Sequence, residues 1–150
     1  MNMPKSRSIS FYILTFLIFF QAVSGLYGGG ALVLDPTGDI LKMPLSLLEG
    51  SPFNDYLIPG IILFAVLGVF PAIVFYGLLR GKERSWLGAV LVGVALIIWI
   101  GTEIVMVGYH TEPPLQLIYG IVGIVLLILA QLPAVRKILQ SKPIHHENNN

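Results

Sequence analysis

Ile9–Leu34 reads ISFYILTFLIFFQAVSGLYGGGALVL, 26 residues without a charged side chain. A helix rises about 1.5 Å per residue, so some 20 residues cross the roughly 30 Å of a bilayer's hydrocarbon core. Three further apolar runs reach that length: Leu57 to Leu79, Trp86 to Gly108 and Leu115 to Val135. They are too long and too uniform for buried strands, and the short alternating segments of a membrane β-barrel are absent. The pattern predicts an all-α fold, an antiparallel bundle of four transmembrane helices.

Composition agrees. Of 150 residues, 55% are hydrophobic and 11% charged, and the mean hydropathy is +0.82; ordinary soluble domains carry roughly 25% charge. A soluble chain this short buries only about 60–70% of the surface it could expose, too little to hide so much apolar area. The partner predicted for these runs is therefore a lipid bilayer. A net charge of +1 without a basic, aromatic-interleaved stripe gives no footprint for nucleic acid. With no cysteine, the chain has no disulfide, thiolate metal site, iron–sulfur cluster or thiol redox chemistry.

Basic residues orient the runs. Lys5 and Arg7 precede the first, Arg80, Lys82 and Arg84 separate the second from the third, and Arg136, Lys137 and Lys142 follow the fourth. Only Lys42 lies on the other side, in a loop that carries Asp35, Asp39, Glu49 and Asp55. The positive-inside rule then places both termini in the cytoplasm, in a multi-pass protein of the cell membrane. Lys5, Arg7 and Ala22-Val23-Ser24 also imitate a cleavable signal peptide, but the apolar run continues past Ser24 to Leu34, which favours a retained anchor.

The domain reading is a four-helix membrane domain over 1–136 and a disordered cytoplasmic tail over 137–150. The loop 35–56 is the one sizeable segment outside the spans. Asp35-Pro36-Thr37-Gly38-Asp39 predicts a tight turn. A short helix is expected over Met43 to Leu48 with Leu45, Leu47 and Leu48 on the membrane surface, and Ser51-Pro52 reads as the start of helix two. In lipid, helices associate through small residues and hydrogen bonds. The packing stripes predicted on that basis are Gln21, Ser24, Gly25, Gly28 and Gly29; Gly60, Gly68 and Ala72; Gly88, Ala95 and Thr102; and Gln116, Gly120, Gly123 and Ala130. Pro59 and Pro71 can each bend helix two.

Glu103 is the one ionisable residue inside a predicted span, about 9 Å below the boundary when counted from Tyr109. A charge there costs roughly 2.5–3.5 kcal/mol on insertion scales. The Leu, Ile and Val residues of that span return roughly 4–7 kcal/mol, so insertion is secure while the acid still needs a reason. It is a candidate proton or ion site, with Tyr27 and Tyr119 at similar depth as partners and His110 on the same stripe at the membrane edge. The competing reading is a structural hydrogen bond to a neighbouring helix. No second acid or base completes a catalytic pair, so no catalytic residue is assigned. Gly28-Gly29-Gly30 lacks the Lys-Ser/Thr of a phosphate loop, Asp35 and Asp39 lack EF-hand spacing, and His110, His145 and His146 cannot furnish two axial haem ligands within a bundle. Neither a metal site nor a cofactor is expected.

The stretch DPTGDILKMPLSLLEGSPFNDYLIPG, with Leu78-Leu79-Arg80 and Leu132-Pro133-Ala134-Val135-Arg136, resembles a family of small uncharacterised bacterial membrane proteins with four spans and an acidic first outer loop. The likeness runs from about Gly25 to Arg136. It implies a bacterial cell membrane and carries over neither an activity nor a functional residue. The expected role is a non-enzymatic accessory or interaction component, meeting a membrane partner or a second copy through loop 35–56. The alternative is a small proton-coupled transporter or permease, a dimer, built on Glu103. A membrane enzyme acting on lipid or quinone has only Glu103, Tyr27 and His110 to work with.

Overall fold

The computed structural model describes residues 7–140. These form five helices and no strand: α1 (Ile9–Leu34), α2 (Leu57–Leu79), α3 (Arg84–Val107), α4 (Leu115–Gln131) and α5 (Pro133–Gln140), with a 3-10 turn at Leu45–Leu48. By length and composition α1, α2 and α3 can each cross a membrane, and α4 with α5 gives a fourth crossing if that bent pair is one span. Burial runs opposite to that of a soluble domain. Thr15, Gln21, Ser85 and Gln116 are buried, while Ile9, Tyr27, Ile73, Ile98 and Val105 lie exposed around the outside, an apolar surface suited to lipid.

Local chemistry sets the helix ends. Ser8 is extended and its hydroxyl accepts the Phe11 N–H at 3.3 Å, starting α1 as an N-cap. At the end of α2, Gly81 adopts φ +66°, the left-handed conformation that glycine takes without strain. The Lys82 N–H then reaches the Gly77 carbonyl at 3.0 Å and the Gly81 N–H reaches Leu78 at 3.1 Å, a Schellman turn that sends the chain straight into α3.

Helices α1 and α2 touch backbone to backbone. A Cβ on Gly25 would collide with the Leu67 carbonyl, and one on Gly29 with the Phe64 backbone. The reason lies in α2. Pro71 has no N–H to give to the carbonyl four residues back, Leu67. Around that gap α2 widens into a π-turn over Ala65–Val69, in which Phe70 N–H bonds to Ala65. Gln21 of α1 donates its Nε2 to the Leu67 carbonyl at 3.2 Å. Pro59 sits in the first turn of α2, where an N–H has no helical partner to lose, and does not interrupt the helix.

Helices α3 and α4 approach at Gly93 and Gly123: a Cβ on Gly93 would meet Leu127 at 3.0 Å and one on Gly123 would meet Ile97 at 2.9 Å. Of the expected α3 stripe, Gly88 packs on Val74 while Thr102 is exposed and bonds back to the Ile98 carbonyl. A seven-residue repeat drifts about 20° per heptad on a straight helix, so two heptads carry Thr102 off the face that Gly88 occupies.

Three boundaries differ from the sequence reading. The fourth run does not continue to Val135: Leu132 is extended (φ −62°, ψ 133°) because the residue before a proline avoids the helical region, and the chain turns 65° into α5. Lys137 to Gln140, expected in a disordered tail, belong to that helix, with Val135 and Leu139 buried beneath it; 141–150, including His145 and His146, lie outside the described residues. The break frees the carbonyl of Ala130, and the Trp86 indole N–H caps it at 2.6 Å while Arg136 stacks on the same ring at 5.0 Å. Finally, Ser51-Pro52 does not start α2. Ser51 closes a turn on Phe53, and the first helical N–H, that of Leu57, is held by Asp55 at 2.9 Å.

Candidate functional site

Loop 35–56 is folded down over one end of the bundle. The Asp35 carboxylate accepts from the Thr37 hydroxyl at 2.6 Å and from the Ile40 N–H at 2.9 Å. These two bonds, the hydroxyl first, hold its pKa below the usual carboxylate value. Tyr56 ties the far end back: its N–H bonds to Pro36 at 2.9 Å and its hydroxyl donates to Pro44 at 2.9 Å, with the ring lying on Gly38. The three loop leucines divide instead of lying together on a surface: Leu48 is buried with Leu32 and Tyr56, and Leu45 is exposed.

Beneath this cover is a cavity of about 490 Å³, walled by α1, α2, α3, α4 and the loop. Most of its lining is apolar, including Leu67, Leu96, Trp99 and Ile100 below and Met43, Leu48 and Phe53 above. Glu103, Gln116, Thr102 and the Tyr56 ring interrupt that wall.

Glu103 is positioned by α3 and bonded from α4. Gln116 Nε2 donates to Glu103 Oε1 at 3.2 Å and to the Gly108 carbonyl at 3.0 Å, while Gln116 Oε1 accepts the His110 N–H at 2.8 Å. One buried amide therefore knits the end of α3, the connecting turn and the start of α4. The Trp99 indole stands beside the carboxyl without reaching hydrogen-bond geometry. Burial, and after it the Glu103 charge, push the Tyr56 phenol above its usual pKa.

The other candidates lie around this centre without bonding to Glu103. Tyr27 lines the cavity rim and is 69% exposed. Tyr119 also lines the cavity and stacks on Phe20 at 5.9 Å. The His110 ring turns its Nδ1 to the Gly108 carbonyl at 3.1 Å. Gln21, Gly25 and Gly29 form the α1–α2 contact, and Gly123 the α3–α4 contact; Gly120 has only Ile100 near it, at 3.9 Å. Gln116 is the partner that sequence reasoning placed on a packing stripe and did not pair with the acid. Its signal was there: where a short link joins α3 to α4, residues near the end of one helix and the start of the next share a depth. Among the described residues no three His, Asp or Glu side chains converge as a metal site. The chain matches no protein-family model, and neither a curated protein nor a solved structure matches it.

Proposed function

We propose that the chain is a four-span bundle of antiparallel helices in a bacterial cytoplasmic membrane, with both termini inside, related to the small four-span family its loop motif resembles. Its role in this reading is a non-enzymatic accessory or interaction component. The observation that supports it is the loop: a segment held by Asp35 and Tyr56 at both ends that still leaves Ile40 and Leu45 exposed. Ordered backbone carrying unburied apolar side chains is what a membrane partner, or a second copy, can recognise without further ordering cost. The distribution of charge supports the orientation. Arg7 bonds to the Leu79 carbonyl and Arg136 stacks on Trp86, so basic side chains gather at the end opposite the acidic loop.

A photo-crosslinking residue at Leu45, in the full chain and its native membrane, tests this. A discrete adduct, either one partner or a dimer, that disappears when Ile40 and Leu45 are made polar and persists in Glu103→Gln fits the proposal. Uniform labelling of lipid alone would overturn it. The second reading, a dimeric proton-coupled transporter, draws on Glu103 facing a cavity. It requires proton uptake into proteoliposomes that Glu103→Gln abolishes.

A further inference from the structure

The cavity under the loop is lined by one carboxyl, Glu103, and that carboxyl has bonding capacity to spare. Gln116 donates to Glu103 Oε1, and among the described residues no hydrogen bond reaches Oε2. Several neighbouring polar groups are committed elsewhere: the Tyr56 hydroxyl to Pro44, the Thr102 hydroxyl to Ile98, and both N–H bonds of the Gln116 amide to Glu103 and Gly108. The Ser24, Tyr27 and Tyr119 hydroxyls and the Trp99 indole also line the wall, but they are neutral, and Glu103 is the one carboxyl among the lining residues. A carboxyl oxygen in an apolar wall is a strong and selective acceptor, because water competes poorly for it and hydrogen bonds to charged groups are roughly twice as strong as neutral ones.

We propose that this cavity binds an apolar chain carrying one hydrogen-bond-donating group, an ammonium or a hydroxyl, that donates to Glu103. Its volume of about 490 Å³ falls within the roughly 300–1,000 Å³ of small-molecule sites, which pair mostly apolar walls with a few placed polar groups. Along α3, the seven residues from Glu103 to Leu96 give the chain about 10 Å of apolar wall, passing Trp99 and Ile100. Glu103 selects against a fatty acid by setting carboxyl against carboxyl. An unsubstituted alkane fits the walls and forgoes the bond. The site does not depend on the loop having a protein partner.

Trp99 lines the cavity whereas Trp86 caps Ala130 away from it, so tryptophan quenching reads the site directly. The full-length protein in lipid nanodiscs is titrated with four ω-brominated medium-chain probes of equal length: an amine, an alcohol, an alkane and a carboxylate. Each is run against wild type and Trp99→Phe, whose remaining Trp86 signal subtracts non-specific partitioning. We expect saturable Trp99 quenching by the amine or the alcohol at about tenfold or more lower concentration than by the alkane or carboxylate, the size of one hydrogen bond to a charged group. Whichever donor binds more tightly identifies the head group. Gly28→Leu should abolish the saturable phase, since Gly28 lines the cavity and a Cβ added there meets only Leu63, at 3.4 Å. Glu103→Leu should weaken the preferred probe at least about tenfold, and Glu103→Gln, which keeps an acceptor without the charge, should weaken the amine more than the alcohol. Unchanged circular dichroism shows that each variant folds. Equal affinity for alkane and donor probes, no saturable phase with any probe, or unchanged binding in folded Glu103→Leu each overturns the proposal.

Discussion

Gly25→Ala and Gly28→Ala place the same methyl group on the same helix three residues apart, and the structure assigns them different consequences. At Gly25 the new carbon runs into the Leu67 carbonyl and the Gly68 N–H, which are backbone and cannot swing aside. Helices α1 and α2 must separate there, and the Gln21–Leu67 hydrogen bond at 3.2 Å lengthens with them. Overpacking costs about 1–3 kcal/mol, and an interhelical hydrogen bond in a membrane is worth about 0.6 kcal/mol on average, together about 2–4 kcal/mol. At Gly28 the carbon meets only the Leu63 Cδ2, at 3.4 Å, the tip of a flexible side chain, so the contact cost stays within about 0.5 kcal/mol. Helix propensity favours alanine equally at both sites and cancels in the difference. Reversible unfolding in mixed micelles, followed by circular dichroism, gives both values. Variants of equal stability within about 0.5 kcal/mol would refute the backbone contact and the packing built on it.

Pro71 and Gln21 should be energetically coupled: Gln21→Leu costs measurably in wild type and little in Pro71→Ala, where a restored N–H satisfies Leu67, with a double-mutant-cycle energy of about 0.5–1.5 kcal/mol. Trp86→Phe removes the cap on Ala130 while keeping a ring for Arg136, and should cost about 1–3 kcal/mol and speed hydrogen exchange over Pro133–Gln140; unchanged exchange there would remove the cap from the account. Asp35 titrates below the usual carboxylate value, so its contribution to loop order is complete above that usual value and is lost as pH falls through the lower folded value. A carboxyl-carbon NMR titration with an ordinary midpoint would contradict the bonds from Thr37 and Ile40. Tyr56 runs the other way: its contribution holds below about pH 10 and is lost as pH rises through its raised folded value, which ultraviolet difference titration reads directly.

Much of the fold is legible along the chain because runs long and apolar enough to cross a membrane obey a simple requirement. Where water is excluded, a helix satisfies nearly all of its backbone polar groups within its own segment, so a long uncharged run such as Ile9–Leu34 reads as a helix. The breaks were partly legible. Leu132 precedes a proline and is pushed out of the helical region, a rule that could have ended the fourth run without any structure. The π-turn at Ala65–Val69 was less so: Pro71 marks a missing donor, but where the freed carbonyl finds a partner depends on Gln21 of another helix.

The site divides in the same way. Sequence singled out Glu103 because an acid inside an apolar span stands out against the cost of inserting it, and it isolated loop 35–56 because that is where the long apolar pattern stops. It offered Tyr27, Tyr119 and His110 as the acid's partners and left Gln116 on a packing stripe, since depth along each helix is readable from one sequence but rotation about each helix axis is not. That rotation is fixed by contacts between helices, at Gly25 on Leu67 and Gly123 on Ile97. Those contacts turn Gln116 toward Glu103 and leave Tyr27 exposed at the rim. They also leave the space between the helices that the loop covers. Local composition therefore determined that these segments are helices suited to lipid, while only the tertiary packing decided which side chains meet the buried acid and that a cavity remains beside it.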